Sequence, residues 1–190
     1  MLSYIFWHRP KGESIQSGYE EVLLAFQRHL KQQALAGLIE TGSFRVSSLP
    51  WLKGERVYED WCVVEGSWVL DTLNALAVEK HVVGAHDAAA TQMDEGYGGL
   101  YSLVWGEAPL PGRSTAVWLT RPRGIQWRPI LSAMRDEFPQ ATLWRRHMVL
   151  GPGKEFALIV PPGQKVTAPP GWTALYVDRE QVGLRSGQSS

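Results

Sequence analysis

The sequence predicts an α+β chain built from two successive β-α-β-β-α-β units with antiparallel sheets. Apolar residues alternate in short segments, as in half-buried strands, and other segments carry apolar residues at helical spacing. Arg-Pro, a basic residue and glycine follow a tryptophan-containing strand at residues 9–12 and again at 121–124. Internal repetition changes the whole fold assignment, so the chain is interpreted as a duplication.

The first unit covers residues 1–108. A strand over 1–10 is followed by a helix that opens with a capping box, in which Ser17 precedes Glu20 by three residues. The buried stripe of this helix is predicted to consist of Tyr19, Val22, Leu23, Phe26 and Leu30. Strands over 43–47 and 57–65, a helix from residue 66 and a strand over 100–107 complete the unit. Glycines at positions 96, 98 and 99 are predicted to interrupt the chain before that last strand.

The second unit covers residues 113–180 and is degenerate. A strand over 115–120, one helix, a hairpin of two strands over 142–150 and 156–160, and a strand over 172–177 are predicted. The segment 161–171 contains two Pro-Pro-Gly motifs, so a loop replaces the second helix. The segment 107–114 is a linker, and residues 181–190 form a flexible tail.

Composition excludes several classes of function. Nineteen Lys plus Arg balance nineteen Asp plus Glu, which argues against a nucleic-acid or membrane partner. One cysteine, Cys62, excludes an internal disulfide and a Cys-rich zinc site, and no metal site is predicted. No apolar run spans a membrane and no secretory signal opens the chain, so a cytoplasmic location is expected. Phosphate-loop, dinucleotide, metalloprotease and hydrolase motifs are absent.

The element order, the Trp-rich strands and the segment YEDWCVVEGSWVLDTLNAL resemble the dimeric α/β-barrel superfamily of ferredoxin-like proteins. The resemblance extends over 1–108 and more loosely over 113–180. It implies tandem ferredoxin-like βαββαβ units whose sheets face each other, within one chain or between two. The superfamily includes cofactor-free monooxygenases, haem enzymes such as chlorite dismutases and dye-decolourising peroxidases, and members without known activity. Fold membership therefore does not supply an activity.

Five residues on predicted strands are candidates for a ligand site: His8, Arg45, Asp60, Trp61 and His147. A sheet face that mixes aromatic side chains with His and Arg suits a cavity for a polar or anionic group. Glu59 and Asp60 lie on opposite faces of one predicted strand, so one of them points inward. A carboxylate beside aromatic surface would have a raised pKa and act as a base, or else pair with Arg45 across the sheet. We expect the site on the sheet face away from the helices, although a one-residue change of register exchanges the two faces.

Two functions stay open. In the first, the chain binds a small aromatic or anionic ligand between its sheets, with cofactor-free oxygenase- or isomerase-like chemistry at most. In the second, it is a non-enzymatic oligomerisation or sensing module whose nine tryptophans only pack against one another. Haem would need His8 or His147 as its axial ligand, and no haem motif surrounds either residue, so no cofactor is predicted. A second copy of the chain is the expected partner, because unclosed sheets would leave apolar surface exposed.

Overall fold

The computed structural model describes residues 1–12, 16–78, 80–108, 112–148 and 151–183, without the side chains of 16–17 and 77–83. The elements in chain order are β1 Leu2–Pro10, α1 Gln16–Gln32, β2 Leu38–Val46, β3 Val57–Val64, α2 Trp68–Val78, α3 Lys80–Gln92, β4 Met93–Trp105, β5 Arg113–Thr120, α4 Arg128–Glu137, β6 Thr142–Arg146, β7 Phe156–Val160 and β8 Thr173–Gln181. No helix in these ranges is long and apolar enough to cross a membrane.

The eight strands form one closed antiparallel barrel in the order β1-β3-β2-β8-β5-β7-β6-β4. The predicted fold of tandem ferredoxin-like βαββαβ units, with separate sheets that face each other, is therefore wrong. Pairing of β2 with β8 and of β4 with β6 joins the two halves of the chain edge to edge. Two open sheets would expose four strand edges, each with unpaired N–H and C=O groups, and closure removes all of them.

Tryptophan side chains fill the interior of the barrel. The indoles of Trp7 and Trp118 meet edge to face at 5.4 Å between ring centroids, and those of Trp61 and Trp144 meet in the same way at 5.6 Å. The Trp51 indole also packs edge to face against Trp7 and Trp118. The space inside the barrel, where the sequence placed a ligand between two sheets, is thus occupied by the protein's own side chains.

A completely buried ion pair crosses this interior. Glu59 on β3 and Arg179 on β8 are in contact, and both side chains have no exposed surface. The indole N–H groups of Trp7 and Trp61 donate to the Glu59 carboxylate over 3.2 and 3.0 Å. Arg179 also donates through Nη1 to the hydroxyl of Ser114, and burial lowers the pKa of its guanidinium. The pair therefore links strands from both halves of the chain.

Helix α1 packs on the outside of the barrel along one stripe. Its buried side chains are Tyr19, Leu23, Gln27 and Leu30. Val22 and Phe26, which the periodicity placed in the same stripe, are only half-buried, and the Phe26 ring packs against His86 of α3. The described helix begins at Gln16, so Ser17 lies inside it and not at its N-cap.

The remaining comparisons with the sequence predictions concern single segments of the chain. Strand β4 continues through the three glycines that were predicted to interrupt the chain, so that prediction is wrong. The segment 161–171 contains no helix, as the prolines indicated. Gln181 ends β8 and Val182 is buried, while 184–190 of the predicted tail lies outside the described residues. The division into residues 1–108 and 113–180 stays a prediction.

Replacement of Arg179 alone should destabilise the protein strongly. Arg179→Met leaves the Glu59 carboxylate buried without a counter-ion, and we expect a loss of about 3–5 kcal/mol in the free energy of unfolding by urea. Arg113→Met removes an exposed partner of Glu180 and should cost less than about 1 kcal/mol. The double variant with Glu59→Gln buries no charge and keeps an indole acceptor, so it should recover about half of the loss or more. Equal losses in the single and double variants would contradict this interpretation.

Candidate functional site

The structure brings three of the five predicted residues to one region of the outer barrel face. His8 and Arg45 both contact the first turns of helix α1, and Asp60 contacts His8. The five candidates combined two alternative strand faces, because the sequence did not fix which face turns inward. The face away from the helices is the barrel interior, and of the five only Trp61 lies there. His147 is exposed on a bend after β6, where its backbone N–H donates to Leu100.

His8 is held between two polar side chains. Its Nδ1 lies 2.6 Å from the hydroxyl of Tyr19, and its Nε2 lies 3.2 Å from Oδ2 of Asp60. The contact of Nε2 with Asp60 lacks hydrogen-bond geometry, so Nε2 has no hydrogen-bond partner among the described residues. His8 and Tyr19 are each 1% exposed. Tyr19, His8 and Asp60 are in contact in this order, and we call the three side chains the Tyr19–His8–Asp60 relay.

Three tyrosines around the relay are held in their neutral form. Burial, followed by the charge of Asp60, raises the pKa of Tyr19 above its usual range. Burial and the neighbouring Glu20 carboxylate raise the pKa of Tyr58 to about 12, and burial also raises the pKa of Tyr4. These phenols therefore stay hydrogen-bond donors at neutral pH.

A row of parallel rings leads from solvent to the relay. Tyr4, Phe6 and His8 follow one another on the outer face of β1, with centroid distances of 6.3 and 5.5 Å and interplanar angles of 15° and 20°. His8 stacks in turn on Tyr58 of β3 at 5.8 Å. Tyr4 is 38% exposed, whereas Tyr58 is fully buried. We call these four residues the aromatic strip.

Glycines on β4 make room for the aromatic strip. A Cβ atom at Gly98 would lie 2.6 Å from the Tyr4 hydroxyl, and one at Gly96 would overlap the Phe6 ring. A side chain at either position would push the rings off the barrel wall. The glycines thus continue the strand and leave its outer surface free for neighbouring aromatic rings.

Asp60 is the member of the relay that lies closest to solvent. Its side chain is 14% exposed, and its second oxygen, Oδ1, is buried without a hydrogen-bond partner in the described part of the chain. The neighbouring Cys62 is a poor nucleophile, because burial raises the pKa of its thiol to about 11. Asp60 can therefore accept a hydrogen bond or a proton at Oδ1 while Oδ2 lies beside His8.

Arg45 has a positioning role beside this site. It donates to both oxygens of Glu20, over 2.7 and 3.0 Å from Nη2, and to Glu180 over 3.2 Å. Glu20 also accepts from the Tyr58 hydroxyl. The predicted pair of Arg45 with Asp60 is wrong, because Arg45 reaches helix α1 and strand β8 instead. It fastens the start of α1 above the aromatic strip.

Sequence reasoning missed Tyr19, Tyr58 and the two glycines of β4. Tyr19 was interpreted as one member of an apolar helical stripe, and its polar end gave no separate signal. Tyr58 and Asp60 alternate on one face of β3, as Phe6 and His8 do on β1, and these strands pair with each other. The shared outer face was therefore visible in the alternation once the pairing of the strands was known.

The residues present do not fit an axial haem ligand or a metal cluster. Nδ1 of His8 contacts the Tyr19 hydroxyl, Nε2 faces Asp60 and the ring is buried, while His147 lies on the exposed surface. Among the described residues, no group of three or more His, Cys, Asp and Glu side chains is placed to hold a metal ion.

Comparisons with known proteins support the fold. No family model matches the chain, and no curated protein matches it significantly. A candidate monooxygenase from Lactobacillus acidophilus NCFM matches with a TM-score of 0.50 at 9% identity, over 83% of this chain and 75% of its own. A candidate chlorite dismutase matches with a TM-score of 0.52 at 10% identity, over 95% and 94%. At these identities the likeness concerns the fold alone.

An alanine at position 96 should destabilise the protein. Gly96→Ala drives a methyl group into the Phe6 ring, which the neighbouring rings hold in place, and we expect a loss of about 1–3 kcal/mol in the free energy of unfolding. Gly84→Ala in helix α3 is the control: nothing lies within 4 Å of the added Cβ, and alanine favours helix by up to about 1 kcal/mol. An unchanged stability of Gly96→Ala would show that the strip is not fixed against β4.

Tyr58 should make the stability fall at alkaline pH. Its pKa is raised from 10.0 to about 12, so between these values the unfolded chain loses a proton that the folded chain keeps. Stability therefore decreases as pH rises through this window. Tyr58→Phe keeps the ring stacked on His8 and should reduce the proton loss on unfolding at about pH 11 by up to one proton. Urea titrations at several pH values measure this slope, and an identical slope in both proteins would contradict the assignment.

Proposed function

We propose that the protein binds a small aromatic molecule carrying an acidic hydroxyl group on the outer face of its barrel, and that Asp60 accepts the proton of that group. The observation that carries this proposal is the carboxylate of Asp60. Oδ2 lies 3.2 Å from Nε2 of His8 without a hydrogen bond, while Oδ1 is a buried acceptor to which no described residue donates. A buried acceptor without a donor is costly, and a ligand hydroxyl would satisfy it.

The aromatic strip supplies the apolar part of the site. Tyr4 and Phe6 present parallel rings on the same outer face as Asp60, and Phe6 lies opposite Asp60 in the pairing of β1 with β3. Another flat ring can extend this stack in the offset geometry that aromatic pairs prefer. The exposed Tyr4 marks the side from which a ligand would enter.

The relay supplies the proton acceptor. When the ligand O–H bond breaks, the proton goes to Oδ1 of Asp60 and the electron pair stays on the ligand as a phenolate or enolate. His8 lies beside the carboxylate, with Nε2 3.2 Å from Oδ2, and the contact of Nδ1 with the Tyr19 hydroxyl holds the imidazole ring in place. Proton abstraction of this kind begins a cofactor-free oxygenation or an isomerisation, and the fold neighbour described as a candidate monooxygenase supports the first of these.

The alternative function is a non-enzymatic module in which the relay only satisfies buried polar groups. The observation that favours it is the burial of His8 and Tyr19, each 1% exposed. The two functions differ in whether a phenol binds in preference to its ether, which the experiment below measures.

We propose separately that two copies of the chain form a homodimer. The barrel closes within one chain, which covers the sheet faces that a second copy was expected to cover. Exposed apolar side chains such as Trp68, at 55%, are what a second copy would bury. Light scattering at high protein concentration tests it, and a strict monomer would rule the dimer out.

The ligand site is tested with 2-naphthol and with 2-methoxynaphthalene, in which a methyl group replaces the acidic hydrogen. Isothermal titration calorimetry should show that the wild-type protein prefers 2-naphthol by about tenfold, because only the phenol donates to Asp60. Asp60→Asn should reduce this preference to about twofold or less, since it removes the charge of the acceptor. Asp136→Asn, at an exposed acid of helix α4, is the control and should leave the preference unchanged. Equal affinities for both compounds, or no binding of either, would favour the non-enzymatic module.

A further inference from the structure

A cleft of about 680 Å³ opens at one end of the barrel, apart from the aromatic strip. Trp105, Ser114 and Thr142 line it, and these residues lie where β4 ends and where β5 and β6 begin. Strand β1 begins at this end, since Leu2 pairs with Ser102, whereas His8 pairs with Gly96 towards the other end. The cleft is therefore separate from the site proposed above.

The floor of the cleft presents hydrogen-bond donors without acceptors. The Ser114 hydroxyl accepts from Nη1 of Arg179 over 3.2 Å, and the Thr142 hydroxyl accepts from the Trp144 indole over 3.3 Å. Each hydroxyl keeps one hydrogen to donate, and no described residue accepts it. The indole N–H of Trp105 also has no partner among the described residues. All three side chains are more than nine-tenths buried, with exposures of 8%, 4% and 8% for Ser114, Thr142 and Trp105.

The rim of the cleft carries two arginines, and only one of them forms an ion pair with a described residue. Arg113 is paired with Glu180 over 2.8 Å. Arg135, in the last turn of helix α4, is exposed and forms no ion pair with a described residue. Glu107 is the acidic residue among the side chains that line the cleft. Because Arg113 already has a partner, Arg135 is available to an incoming anion.

We propose that this cleft binds a small organic acid through its carboxylate. The carboxylate oxygens accept from the donors of the floor and from Arg135, and the apolar body of the ligand packs against Ile159 and Pro161. A carboxylate fits these groups because it accepts hydrogen bonds and donates none. A single negative charge matches the one available arginine, whereas a phosphate dianion would bring a second charge without a partner.

Benzoate and benzyl alcohol serve as the probes, and the indole N–H signals of ¹⁵N-tryptophan-labelled protein report binding. Trp105→Phe identifies the signal of Trp105. Benzoate should shift this signal saturably and benzyl alcohol should not. Arg135→Gln should weaken benzoate binding by about fivefold, as expected for an exposed charge-assisted contact. Arg123→Gln removes an equally exposed arginine beyond the opposite end of β5 and should have no effect.

Three results would overturn the proposal: a Trp105 signal that does not respond to benzoate, equal responses to both probes, or equal effects of Arg135→Gln and Arg123→Gln. Asp60→Asn separates this cleft from the aromatic strip, because it should leave benzoate binding unchanged whatever it does to 2-naphthol. Loss of benzoate binding in Asp60→Asn would place the ligand at the strip and would also overturn the proposal.

Discussion

The ion pair between Glu59 and Arg179 is the interaction on which the barrel depends. A carboxylate without exposed surface needs a counter-ion and hydrogen-bond donors, and those of Glu59 come from different strands. Trp7 and Trp61 donate from β1 and β3, while Arg179 comes from β8, 120 residues further along the chain. Two separate sheets would leave this carboxylate without its cation, so the charge in the interior and the closure of the barrel require each other.

Filling the interior determines where a ligand can bind. The same strands that direct Trp7, Glu59 and Trp61 inwards direct His8 and Asp60 outwards, because successive side chains alternate between the two faces of a sheet. The inward-directed side chains fill the barrel and compensate its buried charge. The outer set lies between the barrel and helix α1, which the ion pairs of Arg45 fasten in place. Ligand sites are therefore left to the outer face and to the ends of the barrel.

Several features of the chain followed from the sequence because they depend on neighbouring residues. Alternation located β1 and β3, the hairpin located β7, the prolines excluded a helix over 161–171, and helical spacing located α1. Of the candidate site, the choice of His8 and Asp60 as polar residues on strands with aromatic neighbours was possible for the same reason. Backbone geometry determines these local patterns wherever the strand lies in the fold.

The tertiary structure decided the rest. Barrel closure depends on pairing of β2 with β8 and of β4 with β6, which are distant in sequence and leave no local pattern. Pairing of β1 with β4 puts aromatic rings over Gly96 and Gly98, so glycines that would interrupt an isolated strand became necessary within β4. The packing of helix α1 on the barrel placed Glu20 beside Arg45 and Tyr19 beside His8. Pairing of β2 with β8 placed Glu180 beside Arg45, which therefore does not pair with Asp60. Sequence alone determined which residues share a strand face. Only the packing of distant segments decided which face is interior and which partners each charge meets, because burial and charge pairing are properties of the assembled chain.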